Sequence, residues 1–324
     1  MLPLAAVLLA ALCFSTTGTA QSLAAVDASP IAVGASRLLV GGGILGLLAL
    51  LGRVRSRPAR AATTSRVPSW LVVAIGVVGV LGYQPAFFLG TRVNGVAIGT
   101  VVALGSAPIL TGVLDAIVRR RLPGARWAVA TAIAVTGVVL VSGLVGTGVA
   151  ADPTQSAVTP LGILTSVGAG ASYALYTLVG KELLDRGWSP RDTMGSMFGV
   201  AAVLSVPLLL VSGAAWLATP EGLALALWLG VVTTAVAYLL FAWGLARLQA
   251  TTVATLTLAE PLSATLLGIL VLHEQLSPVS IAGLVAIAVG LLVLSAGSGG
   301  RPRGGRGSDA GGGSHGGARG DRGT

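Results

Sequence analysis

Residues 11–30 read ALCFSTTGTAQSLAAVDASP, and residues 171–190 read ASYALYTLVGKELLDRGWSP. Set 160 positions apart, the two stretches match at Ala11 and Ala171, Leu23 and Leu183, Ser29 and Ser189, and Pro30 and Pro190, so an apolar run followed by Ser-Pro occurs twice. A second set of matches lies nearer the end of each copy, where Pro108, Gly137 and Ser142 return 153 positions later as Pro261, Gly290 and Ser295. Prolines and a glycine recurring at fixed intervals mark an internal duplication. The first copy is placed at residues 1–150 and the second at 151–296.

Composition decides the solvent of these copies. Of 324 residues, 54% are hydrophobic, a further 47 are glycine and only 10% are charged, where a soluble domain carries about 25% charged residues. Mean hydropathy is +0.90. Lipid is therefore the main surrounding. Runs of about 20 apolar residues centre near Leu9, Val40, Val78, Ser106, Val135, Gly170, Val203, Val232, Glu260 and Ala288. They predict an all-α membrane protein of ten transmembrane helices. The first run, residues 2–23, is read as a span and not a secretory signal, because no Lys or Arg precedes Arg37 and a signal begins with positive charge. One cysteine and two histidines give no reason to expect a disulfide, a metal or another cofactor.

Basic residues set the orientation, since Lys and Arg are held on the cytoplasmic side. With residue 2 inside, all 20 basic residues except Arg37 and Arg92 fall in cytoplasmic connectors or the tail. The net charge of +9 is then a matter of topology and of attraction to the inner leaflet, and no nucleic-acid partner is expected. Five spans per copy is an odd number, so the second copy enters the membrane in the opposite sense to the first. The expected architecture is two inverted five-helix repeats, N-in/C-in. Inverted repeats suit secondary transport, because exchanging the shapes of two antiparallel halves moves the opening of a midplane site from one face to the other.

Several motifs resemble those of the drug/metabolite transporter superfamily, and within it the ten-helix EamA-type transporters. They are residues 11–21 followed by Ser29-Pro30 and Arg37, then Ala171-Ser172-Tyr173-Ala174-Leu175-Tyr176 with Lys181, and finally Leu258-Ala259-Glu260-Pro261 leading to Leu272-His273-Glu274 and Ile281-Ala282-Gly283. The resemblance covers about residues 4–295, and Gln21 departs from a lysine common in the family. It implies a carrier of the cytoplasmic membrane whose central cavity is lined by helices one to four and six to nine. Members commonly export amino acids or other small metabolites.

Within the spans, an ionisable group near mid-bilayer costs at least about 2.5–3.5 kcal/mol, so it faces a cavity or a partner. Glu260 sits mid-span directly before Pro261, which kinks a helix by removing a backbone donor. It reads as a site for a substrate amine or a proton, or else as a protonated group bonded to a neighbouring helix. Arg37 reads as a ligand for a substrate carboxylate, or as a tie that fixes the bundle. Tyr83 and Gln84 before Pro85, Tyr173 and Tyr176 one turn apart, and Tyr238 and Trp243 are the polar fittings expected of an apolar pocket, or simply packing. Of these, Tyr83, Gln84, Tyr173, Tyr176 and Trp243 join Arg37 and Glu260 as expected substrate-binding residues, with kinks at Pro85, Pro108 and Pro261. Asp115 is expected to pair with Arg119, Trp70 and Trp127 to mark the membrane interface, and Gly42, Gly46, Gly95 and Gly99 to permit close helix contact. The Gly- and Arg-rich residues 297–324 should be a disordered cytoplasmic tail.

These expectations describe a secondary carrier of a small metabolite, embedded in the lipid bilayer, with proton coupling through Glu260 as a candidate mechanism. Spacing alone names neither the substrate nor an oligomeric state. A membrane-embedded enzyme acting on lipid or peptide is the alternative. It lacks a His pair in one span, paired intramembrane aspartates or a nucleophile with a base. A non-transporting membrane subunit is the other.

Overall fold

The computed structural model describes residues 1–55, 67–142, 159–272 and 277–296. Expectations for the Arg-rich connector after the second span, for His273-Glu274 and for the tail fall outside the described residues. Within them, ten apolar helices follow one another: α1 (Leu2–Ala24), α2 (Pro30–Gly52), α3 (Ser69–Asn94), α4 (Ile98–Arg119), α5 (Ala125–Val141), α6 (Pro160–Asp185), α7 (Pro190–Ser212), α8 (Pro220–Leu245), α9 (Ala250–Leu272) and α10 (Pro278–Ser295). Nine are long and apolar enough to cross a membrane. The exception is α5, whose 17 residues span about 25 Å at 1.5 Å per residue, against a hydrocarbon core of about 30 Å.

Local chemistry sets where many helices begin. Ser29-Pro30, Thr159-Pro160, Ser189-Pro190, Thr219-Pro220 and Ser277-Pro278 each place a hydroxyl at the N-cap and proline in the first turn. The hydroxyl accepts the backbone N–H three residues on at 3.1–3.2 Å, and proline there sacrifices no helical hydrogen bond. The repeated Ser-Pro of the sequence is thus a helix-start signal, used at α2 and α7.

Two helices change winding midway. Residues Leu38–Gly42 of α2 and Val231–Val236 of α8 form π turns and lie against each other. In α9 the chain leaves the helix between Ala250–Leu256 and Ala259–Leu272. Pro261 has no amide to offer the Thr257 carbonyl, and the Glu260 N–H takes that carbonyl instead at 2.9 Å. The kink expected at Pro261 is therefore a break just before Glu260. By contrast, α3 runs unbroken through Pro85 and α4 through Pro108.

Small residues let the helices approach. A Cβ on Gly42 would run into the Phe198 carbonyl, and one on Gly195 into the Leu45 carbonyl, which draws α2 onto α7. Gly137 and Gly283 do the same for α5 and α10, where a Cβ on either would lie 2.7 Å from the other's carbonyl. Gly95 differs from its expected packing role: it turns the chain from α3 into α4 at φ +83° with open space around it. The remaining main contacts set α1 against α8 and α9, and α6 against α3 and α4. At one end of the bundle Asn94 meets Thr159. At the other Arg119 meets Asp185, and Gly244 meets Pro3 and Val7.

Candidate functional site

The buried core continues into a knot of aromatic rings at mid-bundle. Tyr238 of α8 contacts Phe198 of α7 with ring centroids 4.1 Å apart, and Phe14 of α1 at 5.1 Å. Tyr176 of α6 is edge-on to Tyr173 at 5.2 Å, and its hydroxyl lies 3.2 Å from that of Tyr238. The Tyr173 hydroxyl lies 2.9 Å from Thr257 Oγ1, at the break in α9. Buried phenols stay in place because each finds a polar partner among apolar surroundings.

Beside this knot is a cavity of about 60 Å³, lined by Arg37, Tyr83, Tyr173, Tyr176, Tyr238 and Glu260 among others. A smaller hollow of about 20 Å³ adjoins it, sharing Arg37, Tyr83, Tyr176 and Tyr238 and adding Gln84 and Thr234. A metabolite site needs several hundred cubic ångströms, so the cavity must widen to take one.

The two ionisable groups at the cavity are held differently. Arg37 Nε donates to Thr234 Oγ1 at 2.9 Å and its Nη2 to the Thr233 carbonyl at 3.0 Å, within the π turn of α8. Arg37 thus ties α2 to α8 through a backbone carbonyl, as the tie reading of this residue expects, and through a hydroxyl in the place of an acidic group. Glu260 has neither a hydrogen-bond nor an ion-pair partner for its carboxyl group among the described residues. Its half-buried carboxyl group faces the cavity. Among the described residues no neighbouring helix bonds the carboxyl group.

Of the residues expected at a site, the fold gathers Arg37, Tyr83, Gln84, Tyr173, Tyr176 and Glu260 around these two hollows. It does not bring Trp243 there. That ring lies under the Arg247 guanidinium, 3.9 Å from its centroid, at the end of α8. Pro85 is exposed on α3, whereas Pro108 is buried next to Ala107 of the cavity wall. Tyr238 was visible in the sequence as a polar aromatic within a span, but only its position beside Tyr176 distinguishes it from Trp243. Thr257 carried a signal that could have been used: it lies one turn before Glu260 on the same face. Phe14 carried none, being one apolar residue in an apolar run.

Elsewhere, the expected pair of Asp115 and Arg119 forms at 2.8 Å and extends to Asp185 and Lys181. Trp70 is exposed, as an interfacial residue should be, while Trp127 is drawn into the bundle and donates to the Thr251 carbonyl at 3.0 Å.

A helical, multi-pass membrane protein with charged and phenolic groups converging on a small buried cavity is the class this fold and site define. The chain belongs to the EamA-like transporter family, whose model matches residues 1–143 and 160–296. It is 39% identical over 290 residues to the transporter YwfM of Bacillus subtilis, covering 90% of this chain and 92% of that protein. Over 130 residues, 39% of this chain and 42% of the other, it is 35% identical to the threonine/homoserine exporter RhtA of Escherichia coli. A solved crystal structure shares the fold with a TM-score of 0.72 at 18% sequence identity, covering 90% of this chain and 98% of that one.

Proposed function

We propose that the protein is a secondary carrier that moves a small metabolite across the cytoplasmic membrane by alternating access between two inverted five-helix halves, residues 1–150 and 151–296. Residue 2 and the tail lie on the cytoplasmic side, and α5 counts as the tenth span. The packing supports this reading. Exchanging α1–α5 with α6–α10 turns the contacts of α1 with α8 and α9 into those of α6 with α3 and α4, and returns the α2–α7 and α5–α10 contacts to themselves. A two-fold relation between antiparallel halves requires that pattern.

The observation that carries the function is Glu260, whose carboxyl group has no hydrogen-bond or ion-pair partner among the described residues, at a cavity that also holds Arg37. A carboxylate and a guanidinium across one small space suit a zwitterion, with Glu260 taking the ammonium group and the free edge of Arg37 the carboxylate. Amino acids are therefore the first candidate substrates. The partial similarity to a threonine/homoserine exporter points the same way, and export is the direction it favours. Glu260 is also the group through which proton movement would be coupled.

Counterflow in proteoliposomes tests this. Purified protein preloaded with a panel of unlabelled amino acids should take up the matching labelled amino acid transiently above equilibrium. Failure with every amino acid and small metabolite tried, by protein shown to be folded and inserted, would leave a non-transporting membrane subunit in its place.

A further inference from the structure

A third hollow, of about 520 Å³, opens at the end of the bundle where α4, α6 and the link between α8 and α9 meet. Its volume falls in the range of small-molecule sites. Its position relative to the central cavity follows from helix geometry. The two spaces are lined by residue pairs eight apart: Asp115 and Ala107 on α4, Lys181 and Tyr173 on α6, Ala246 and Tyr238 at the end of α8, Ala250 and Leu258 along α9. Eight residues rise about 12 Å. The hollow is thus a vestibule on the same four segments, about two helical turns from the central cavity.

The charge on its walls is unequal. Arg119, Arg121, Lys181 and Arg247 face only two carboxylates, Asp115 and Asp185. Both carboxylates are already engaged. Arg119 Nε reaches Asp115 at 2.8 Å, while Arg119 Nη2 and Lys181 Nζ reach Asp185 at 2.9 and 3.0 Å. Lys181 also donates to the Leu245 carbonyl at 3.2 Å, so this lattice joins α4, α6 and α8. Neither Arg121 nor Arg247 is paired with a carboxylate among the described residues. Arg247 spends its hydrogen bond on the Trp243 carbonyl at 2.8 Å. A cleft of one sign with low-dielectric walls concentrates ions of the other.

We propose that this vestibule is a capture site for a small metabolite bearing an oxyanion, a carboxylate or a phosphate, which it holds before the solute reaches the central cavity. The proposal rests on the carrier reading above and specifies the charge of the solute it takes. Arg121 and Arg247 supply the attraction, and the Arg119–Asp185–Lys181 lattice forms the floor.

Accessibility of a single introduced thiol tests it without measuring transport. Gln249→Cys places the thiol at an exposed position on the vestibule wall, in a Cys13→Ser background. The full chain is reconstituted in phosphatidylcholine nanodiscs, where both faces are open. Rates with anionic sulfonatoethyl and cationic trimethylammonioethyl methanethiosulfonate are each divided by the rate with a free thiol. The anionic reagent should be favoured on the order of tenfold, and Arg121→Gln with Arg247→Gln should bring the ratio near one. Succinate or inorganic phosphate should slow modification by an uncharged maleimide, and choline should not. A ratio near one with the arginines in place, or equal slowing by choline, overturns the proposal. Slowing by phosphatidylglycerol in the nanodisc but by neither soluble anion assigns the site to a lipid headgroup and also overturns it. Charge selection without counterflow would leave the vestibule site standing and remove the carrier reading, and counterflow without charge selection would do the reverse.

Discussion

The central cavity has two charged walls, built on opposite plans. Where α2 crosses α8, two π turns face each other, and Arg37 spends two of its donors on Thr234 and the Thr233 carbonyl. Where α9 breaks, Pro261 withholds an amide, the backbone resolves the deficit with its own Glu260 N–H, and the Glu260 carboxyl group has no hydrogen-bond or ion-pair partner among the described residues. Both side chains carry the cost of lying inside a membrane. Only Arg37 recovers part of it from the fold. The contrast separates a residue that joins helices with part of its side chain from one whose whole carboxyl group is kept for a ligand, although hydropathy ranks both as the same anomaly.

Glu260→Gln tests that contrast with the largest expected effect. A hydrogen bond to a charged group is worth about 1.5–3 kcal/mol, so substrate affinity in proteoliposomes should fall on the order of 10–100-fold. The melting temperature of the purified protein should not fall, because no protein contact is lost. A clear loss of stability would make Glu260 a structural partner and erase the difference between the walls.

Arg37→Leu should lower stability as well as affinity. Leaving the Thr233 carbonyl without its donor costs about 1–3 kcal/mol, to be read from chemical denaturation in detergent, and Arg37→Lys should recover part of it. Full stability with transport abolished would mean that the contacts with Thr234 and the Thr233 carbonyl hold nothing together, and would leave Arg37 only its carboxylate-binding role. Thr234→Val sharpens the same wall by removing the Oγ1 acceptor. It should destabilise by about 1 kcal/mol, and combined with Arg37→Leu the losses should fall short of additive. Simple additivity would mean that the 2.9 Å contact carries no coupling.

The smallest effect is expected on the other wall. Tyr173→Phe removes the hydroxyl beside Thr257, a contact of about 0.6 kcal/mol by the average for intramembrane hydrogen bonds. Its consequence should appear instead in transport, as altered affinity with little change in stability, because Thr257 lies at the break that presents Glu260. Unchanged affinity would separate the phenol from the placing of that carboxylate.

Much of this molecule was legible without coordinates because the determining interactions are local. Apolar runs of bilayer length gave nine of the spans and the shorter α5, and Ser-Pro gave the start of α2 and α7 through caps that involve only four consecutive residues. Glu260 and Arg37 stood out because an ionisable group in an apolar run is costly wherever the helix turns. The rotation of each helix about its axis is a different kind of quantity, set by contacts such as Gly42 on Phe198 and Gly137 on Gly283 that link residues far apart in the chain. That rotation turned Tyr238 inward and left Trp243 under Arg247. It brought Arg37 to a threonine 197 positions away and stacked the vestibule on the cavity. Hydropathy and capping act over a turn or two and so can be read from residue order, whereas the facing of side chains depends on the packing of all ten helices at once and had to be decided by the tertiary structure.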